Sequence, residues 1–163
     1  MKKHYTFKTQ VDSDVQKKYS IRFPAQIEFL ITVYLNDPEG WIAKGYSFQP
    51  VSENADILIR LSSAKTVDEI CGVSQKLSCA ILGGKNVYLN ADRWFHGSKE
   101  SQLDLEEYRQ YLVSHEVGHI LGFEHESCPC NGCPAPIMMQ QTLGIKKCIP
   151  NTKITNGDGK KSS

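Results

Sequence analysis

The stretch that most constrains this chain is "SHEVGHILGFEHES", residues 114–127. Three of the five histidines, His115, His119 and His125, fall there within eleven positions, with Glu116 directly after the first. Residues four apart on an α-helix lie one above the other, so a helix puts His115 and His119 on one face, where both imidazoles can share an ion. Gly122 follows three residues after His119, where a left-handed cap ends the helix and turns the chain back at little steric cost. His125 is then carried round to offer a third nitrogen. Glu116 points about a quarter turn away from the pair. That places its carboxylate to serve a water on the same metal rather than the metal itself, which is where a general base belongs.

The competing account is a buried helix whose histidines merely hydrogen-bond, and for a lone histidine it is the better one. Here five positions, H-E-x-x-H-x-x-G-x-x-H, must coincide. With this chain's own residue frequencies chance supplies that pattern on the order of 10⁻⁵ times per sequence. Three histidines also leave a fourth tetrahedral position open, the mark of a catalytic rather than a structural zinc site. The spacing therefore predicts one Zn2+ held by His115, His119 and His125, with Glu116 as the catalytic base.

The rest of the chain reads as α+β in one domain, as its 163 residues allow. "YTFKTQV" (5–11) alternates as a half-buried strand does. Apolar positions from Phe23 through Ile27, Leu30, Ile31, Tyr34 and Leu35 recur at helical spacing, with Pro24 suited to a first turn. Residues 55–62 and 86–91 read as strands, the latter launched by "GGKN". A long helix begins near Asp104 and runs to about Leu121. Beyond Gly122, cysteines, prolines and glycines predict loop, and the polar tail 152–163 reads as disordered. The expected division is one domain over 1–151, with parts 1–121 and 122–151.

Downstream of the histidine pattern, "CPAPIMMQQT" sets Met138 and Met139 in a Pro-bounded loop. Together the two resemble the metzincin metallopeptidases, which add a methionine turn under the zinc, and Met138 matches the turn methionine. The longer runs "NVYLNADRW", "YRQYLVSHEVGHILG" and "PAPIMMQQT", with the Cys-Pro loop and Cys148 to Asn151, are similar to a little-characterised group of bacterial metzincin-like proteins of unknown function. That similarity covers about 5–151. It implies a minimal metzincin-like fold: a small mixed twisted sheet, a backing helix, an active-site helix and a loop-rich C-terminal part with a Met-turn. It also implies a zinc-dependent metalloendopeptidase in which a zinc-activated water attacks the peptide bond and Glu116 handles the proton. Substrate would lie extended beside an exposed edge strand, which the resemblance assigns to the strand before the active-site helix, with Val87, Tyr88, Leu89 and Asn90 as binding residues. Some metzincins carry a tyrosine two residues after the turn methionine. Gln140 stands there, so no tyrosine role carries over. Glu126, after His125, is similar to the astacin branch but reads as a surface acid.

Six cysteines fall in two groups. Cys71 and Cys79 suit a small disulfide-closed loop, and joining Cys128 to Cys148 would brace the methionine turn. That leaves Cys130 and Cys133, a C-x-x-C that serves as a disulfide, a redox centre or half a zinc knuckle. A second ion on Cys128, Cys130, Cys133 and Cys148 is the weaker reading, for want of a second C-x-x-C. Trp94 reads as core and His96 as surface.

A net charge of +1 with scattered lysines and arginines argues against nucleic acid as a partner. The apolar run "IEFLITVYL" is nine residues long, far short of a membrane span. No apolar stretch follows the opening lysines, so they do not read as a secretory signal, whereas the cysteine content leans towards an oxidising compartment. The expected partner is a peptide or protein substrate of a monomer. Two other classes use the same residues: a catalytically silent zinc-stabilised binding module, which does not need Glu116, and a zinc hydrolase of a non-peptide amide. Because the histidines must be neutral to bind, activity should fall below about pH 6.

Overall fold

Strict alternation builds the sheet. In β1 (His4–Val11) Phe7 and Val11 are buried while Lys8 and Gln10 face water. β3 (Ile57–Ser62) buries Ile57, Ile59 and Leu61 and turns Arg60 outward, and β5 (Asn86–Asn90) buries Val87 and Leu89. The structure, a computed structural model, describes residues 1–159. Two shorter strands, β2 (Ser47–Pro50) and β4 (Cys79–Ala80), complete a five-stranded sheet of order β2-β1-β3-β5-β4. All neighbours are parallel except β4, which runs antiparallel to β5.

Parallel neighbours require crossovers, and helices supply them. α1 (Ser13–Lys18) and α2 (Ala25–Leu35) lie between β1 and β2, and α3 (Ala64–Cys71) follows β3. α4 (Ala91–His96) and α5 (Leu105–Ile120) follow β5. α2 buries Ile27, Ile31, Tyr34 and Leu35 at helical spacing and leaves Phe29 and Val33 exposed, so its β-branched residues do not prevent a one-sided helix. Pro24 is the N-cap, where a missing N–H costs nothing, and Phe23 lies outside the helix and is exposed. α2 and α5 pack side by side over the apolar face of the sheet. The opposite face carries Lys8, Arg60 and Tyr88, with Arg60 paired to Asp12 at 2.9 Å.

The α+β class and the strands and helices expected over 5–11, 55–62, 86–91 and 104–121 are present within a few residues. Two expectations need correction. Asn86–Asn90 is not an edge: β3 lies on one side of it and β4 on the other, so Val87, Tyr88, Leu89 and Asn90 face no open margin. On that side of the sheet the free margin is the short β4, whose two residues are too few to show a period. The tail is not structureless as far as Gly159: Asp158 is 2% exposed, and Ile154 N–H donates to Glu39 O at 3.0 Å. Residues 160–163 of that expected tail lie outside the described residues. The expected pairs Cys71–Cys79 and Cys128–Cys148 are joined, and Cys130 is joined to Cys133, one of the readings that their spacing left open. No cysteine is free among the described residues, so the thiolate knuckle is not formed.

Beyond α5 the described residues have little regular structure: a 3-10 turn over Gln141–Leu143, a Pro134–Ile149 bridge and a small cluster of Ala135, Met139 and Cys148. A segment with so few backbone ladders relies on its cross-links. Replacing Cys128 and Cys148 together with alanine is expected to cost about 3 kcal/mol of unfolding free energy, from the loop entropy of a 20-residue separation. Equilibrium urea denaturation reads the difference.

Candidate metal centre

α5 is fixed at its start by a reciprocal cap. Asp104 Oδ1 accepts from Glu107 N–H at 2.8 Å and Glu107 Oε1 accepts from Asp104 N–H at 3.1 Å. From there the helix runs through the protein interior, and Ser114, His115 and Glu116 are buried on it alongside Tyr108, Tyr111, Leu112 and Val117. Buried polar groups need partners, and those partners orient the site. His115 Nδ1 meets Ile137 O at 2.7 Å and His119 Nδ1 meets Phe123 O at 2.8 Å. A carbonyl oxygen only accepts, so each ring carries its proton on Nδ1 and turns the lone pair of Nε2 inward.

Gly122 performs the turn that its position suggested. Its φ is +98°, a conformation that glycine adopts without strain, and Gly122 N–H and Phe123 N–H return to His119 O and Gly118 O, each at 3.0 Å. The reversed chain brings His125 Nε2 to 3.2 Å from His119 Nε2. One nitrogen from each of His115, His119 and His125 lies within 4.8 Å of the others, a group able to hold a metal ion. The three predicted ligands therefore meet, with His115 buried, His119 half-buried and His125 exposed.

Burial sets the protonation of the group. It lowers the pKa of His115 to about 3, reinforced by the neighbouring His119, and it lowers those of His119 and His125 as well. All three rings are therefore neutral near pH 7, with lone pairs available. Burial also raises Glu116 to about 8. Its Oε1 stands 3.7 Å from His115 Nε2, and Oε2 has no hydrogen-bond partner. With the ring neutral this contact is not an ion pair. Glu116 is a fully buried carboxyl with one oxygen uncommitted, beside the converging nitrogens.

Met138 is fully buried, with its side chain packed against α5 at Gly118. It can approach because residue 118 has no side chain: a Cβ there would collide with Met138 Sδ and stand 2.8 Å from Trp41 Cζ2. Trp41 cannot retreat, since its ring stacks on Phe123 and its Nε1 donates to Ser114 O at 2.8 Å. The loop itself is held by Asp158, whose two carboxylate oxygens accept from Ile137 and Met138 N–H. Neither Gly118 nor Asp158 is among the residues that the sequence pattern singled out. "HEVGH" does contain a small residue between the histidines, whereas nothing in "TNGDGKK" marks one aspartate as buried.

A cavity of about 650 Å³ opens in front of the histidines. One wall is α5 and the other is the free margin of the sheet, Ser78 to Leu82, with Ile70 and Val73 beyond. A second cavity, about 590 Å³, meets the first at His125 and Gln140 and is lined by Leu143, Lys146 and Lys147. Gln140, at the position where a tyrosine is absent, lines both cavities. Glu126 lines the second cavity only. Trp94 is buried and His96 is exposed outside both cavities.

Fold and site together define a small α+β protein with three disulfides and a three-histidine group that lines an open cavity. The chain belongs to the family described as "protein of unknown function (DUF3152)", which matches residues 1–162. No curated protein matches it.

Two outcomes follow from this geometry. Gly118→Ala, although favourable to a helix by about 1 kcal/mol, is expected to destabilise the protein by a net 1–3 kcal/mol or so, because the methyl group displaces Met138 against Trp41. Equilibrium denaturation measures it. The second concerns pH. Glu116 ionises near 8 when folded but at its ordinary value when unfolded, so its contribution is neutral in acid and turns unfavourable as pH rises from about 4.5 towards 8. Metal-free Glu116→Gln should therefore melt above the metal-free native chain at pH 8, by roughly 3–5 kcal/mol in stability, and with no such gain at pH 4. The histidines, whose lowered values cost stability as pH falls below about 6.5, act equally in both proteins and cancel.

Proposed function

We propose that this protein is a zinc-dependent metalloendopeptidase with Glu116 as its general base. The observation that carries the reading is the convergence of three neutral imidazole nitrogens beside a buried carboxyl whose Oε2 has no partner. A site that only held metal for stability would have no use for Glu116, which is expensive to bury. Zinc suits an all-nitrogen set of three with a further position open, and two nitrogens at zinc distance in a tetrahedron stand about 3.3 Å apart, close to the 3.2 Å between His119 and His125. The metzincin resemblance of H-E-x-x-H-x-x-G-x-x-H with Met138 points the same way.

Bound zinc would supply Lewis acidity towards a carbonyl or water oxygen. The chain's own residues supply the rest. His115 and His119 are locked in one tautomer by Ile137 O and Phe123 O, so no reorganisation of the ligands precedes binding. Glu116 Oε2 takes the proton of the attacking water and returns it to the leaving amine. The margin from Ser78 to Leu82, not 86–90, offers main-chain groups to an extended peptide. Two adjoining cavities give an extended chain room to continue past the site, which favours internal bonds over chain ends. The three disulfides suit a protein that works in an oxidising compartment, and no helix among the described residues is long and apolar enough to cross a membrane.

Metal analysis and digestion of a denatured protein mixture, with native chain and Glu116→Gln side by side, test the proposal. One zinc in each and cleavage at internal bonds by the native chain alone is the expected result, with at least a thousandfold loss in the variant. One zinc in each and cleavage by neither would overturn the peptidase reading in favour of a silent binding module or a non-peptide amide hydrolase.

A further inference from the structure

Asp158 is 2% exposed and lies 39 residues beyond His119, in a segment whose composition gives no hint of a role. Its carboxylate receives four hydrogen bonds: Met138 N–H on Oδ1 at 2.8 Å, and Ile137 N–H, Thr155 N–H and Thr155 Oγ1–H on Oδ2, each at 2.9 Å. The segment that presents it is itself tied down, with Lys44 Nζ donating to Asp158 O at 2.8 Å and Lys153 Nζ 2.8 Å from Glu39 Oε1.

One of those bonds leads to the histidines. The N–H of Met138 and the C=O of Ile137 belong to the same peptide unit. The N–H points at Asp158 Oδ1, and the C=O receives His115 Nδ1–H at 2.7 Å. We propose that Asp158 is a positioning residue for His115, acting through the Ile137–Met138 peptide as a carboxylate–peptide–imidazole relay. A carboxylate on the N–H side polarises the amide, and its carbonyl oxygen becomes a stronger acceptor. The stronger acceptor fixes the Nδ1–H tautomer, holds the ring plane and raises the donor strength of Nε2. Metal-ligating histidines receive this treatment from a carboxylate or a carbonyl directly. Here the carboxylate works across one peptide group, which lets the same contact clamp the Met138 loop. The ends of the relay lie far apart in sequence, so the C-terminal segment completes a site whose ligands all precede it.

The relay itself exists without metal, and its effect on affinity rests on the metal-centre reading above, so the test has one readout for each. In metal-free protein with nitrogen-15 histidine, NMR should show His115 neutral and protonated on Nδ1, with a slowly exchanging proton. Asp158→Asn should move that proton upfield and speed its exchange. Thr155→Val, which removes one bond from the same carboxylate but leaves the peptide contact, should not. In parallel, chelator competition should give Asp158→Asn a zinc affinity 10–100-fold weaker than native, with a change in the visible spectrum of the cobalt-loaded protein. Thr155→Val should stay within about threefold. Unchanged His115 signals in Asp158→Asn, or equal effects from Thr155→Val, would overturn the relay and leave Asp158 a tail anchor. If the native chain binds no stoichiometric metal, the metal reading fails while the NMR comparison still decides the relay. Should Asp158→Asn not fold, the native chain suffices: both the His115 Nδ1 proton and the Met138 amide proton must lie far downfield and exchange slowly, and ordinary values for either would overturn the proposal.

Discussion

The contact on which the rest depends is that of helix α5 with the 136–139 loop at Gly118. A helix running through the interior must bury polar residues where it carries function, and each buried polar atom needs a partner. α5 meets that demand by admitting backbone to within hydrogen-bond distance. Because residue 118 has no Cβ, Met138 and Trp41 close against the helix, and the same loop delivers Ile137 O to His115. A bulkier residue at 118 would hold the loop away and leave the His115 Nδ1 proton unpaired in the core. The small residue, the buried methionine and the tautomer of the first histidine are thus one constraint rather than three.

That constraint also explains why the two parts of the chain are not independent. The first part contributes the helix, Glu116 and the free margin of the sheet. The second contributes the carbonyl that orients His115, the third histidine and the lining of the second cavity. Tyr111 links them from the side: its hydroxyl donates to Met139 O at 3.1 Å and accepts from Gln141 N–H at 2.9 Å. With few ladders of its own, the second part is held by disulfides, by such side-chain bonds and by Asp158.

Legibility in the sequence followed the range of the interactions. His115, His119, Gly122 and His125 were readable because helix pitch and one glycine turn fix their relation over eleven residues, and the structure places them as that geometry requires. The strands over 5–11, 55–62 and 86–91 were readable because each alternates for several residues. What failed depended on partners remote in sequence. The neighbours of 86–90 are decided by sheet order, and the strand that displaces it from the margin, Cys79–Ala80, is too short to announce itself. α3 was missed for a related reason: only Ala64 and Val67 of its eight residues are buried, so its apolar stripe is short. The tail read as disordered because its composition is polar, whereas a buried carboxylate with four donors, together with ties to Lys44 and Glu39, holds it in place. The pairing of Cys130 with Cys133 was left among several readings, since spacing alone does not separate a disulfide from a metal ligand.

The electrostatic arrangement gives the site its sense. Three neutral rings and a carboxyl pushed up to about 8 leave the centre with little charge of its own near neutral pH. Such a cluster is poorly explained as a device for stability: Glu116 has an oxygen without a partner, and its ionisation is opposed by burial alone. A dication held by the three nitrogens would reverse that balance, since positive charge a few ångströms away favours the carboxylate that burial disfavours. On the proposed reading, the group that burial keeps protonated becomes available as a base when the metal is present. His115 and His119 have carbonyl partners of their own, so Glu116 is the member of the set whose burial is left uncompensated without an ion.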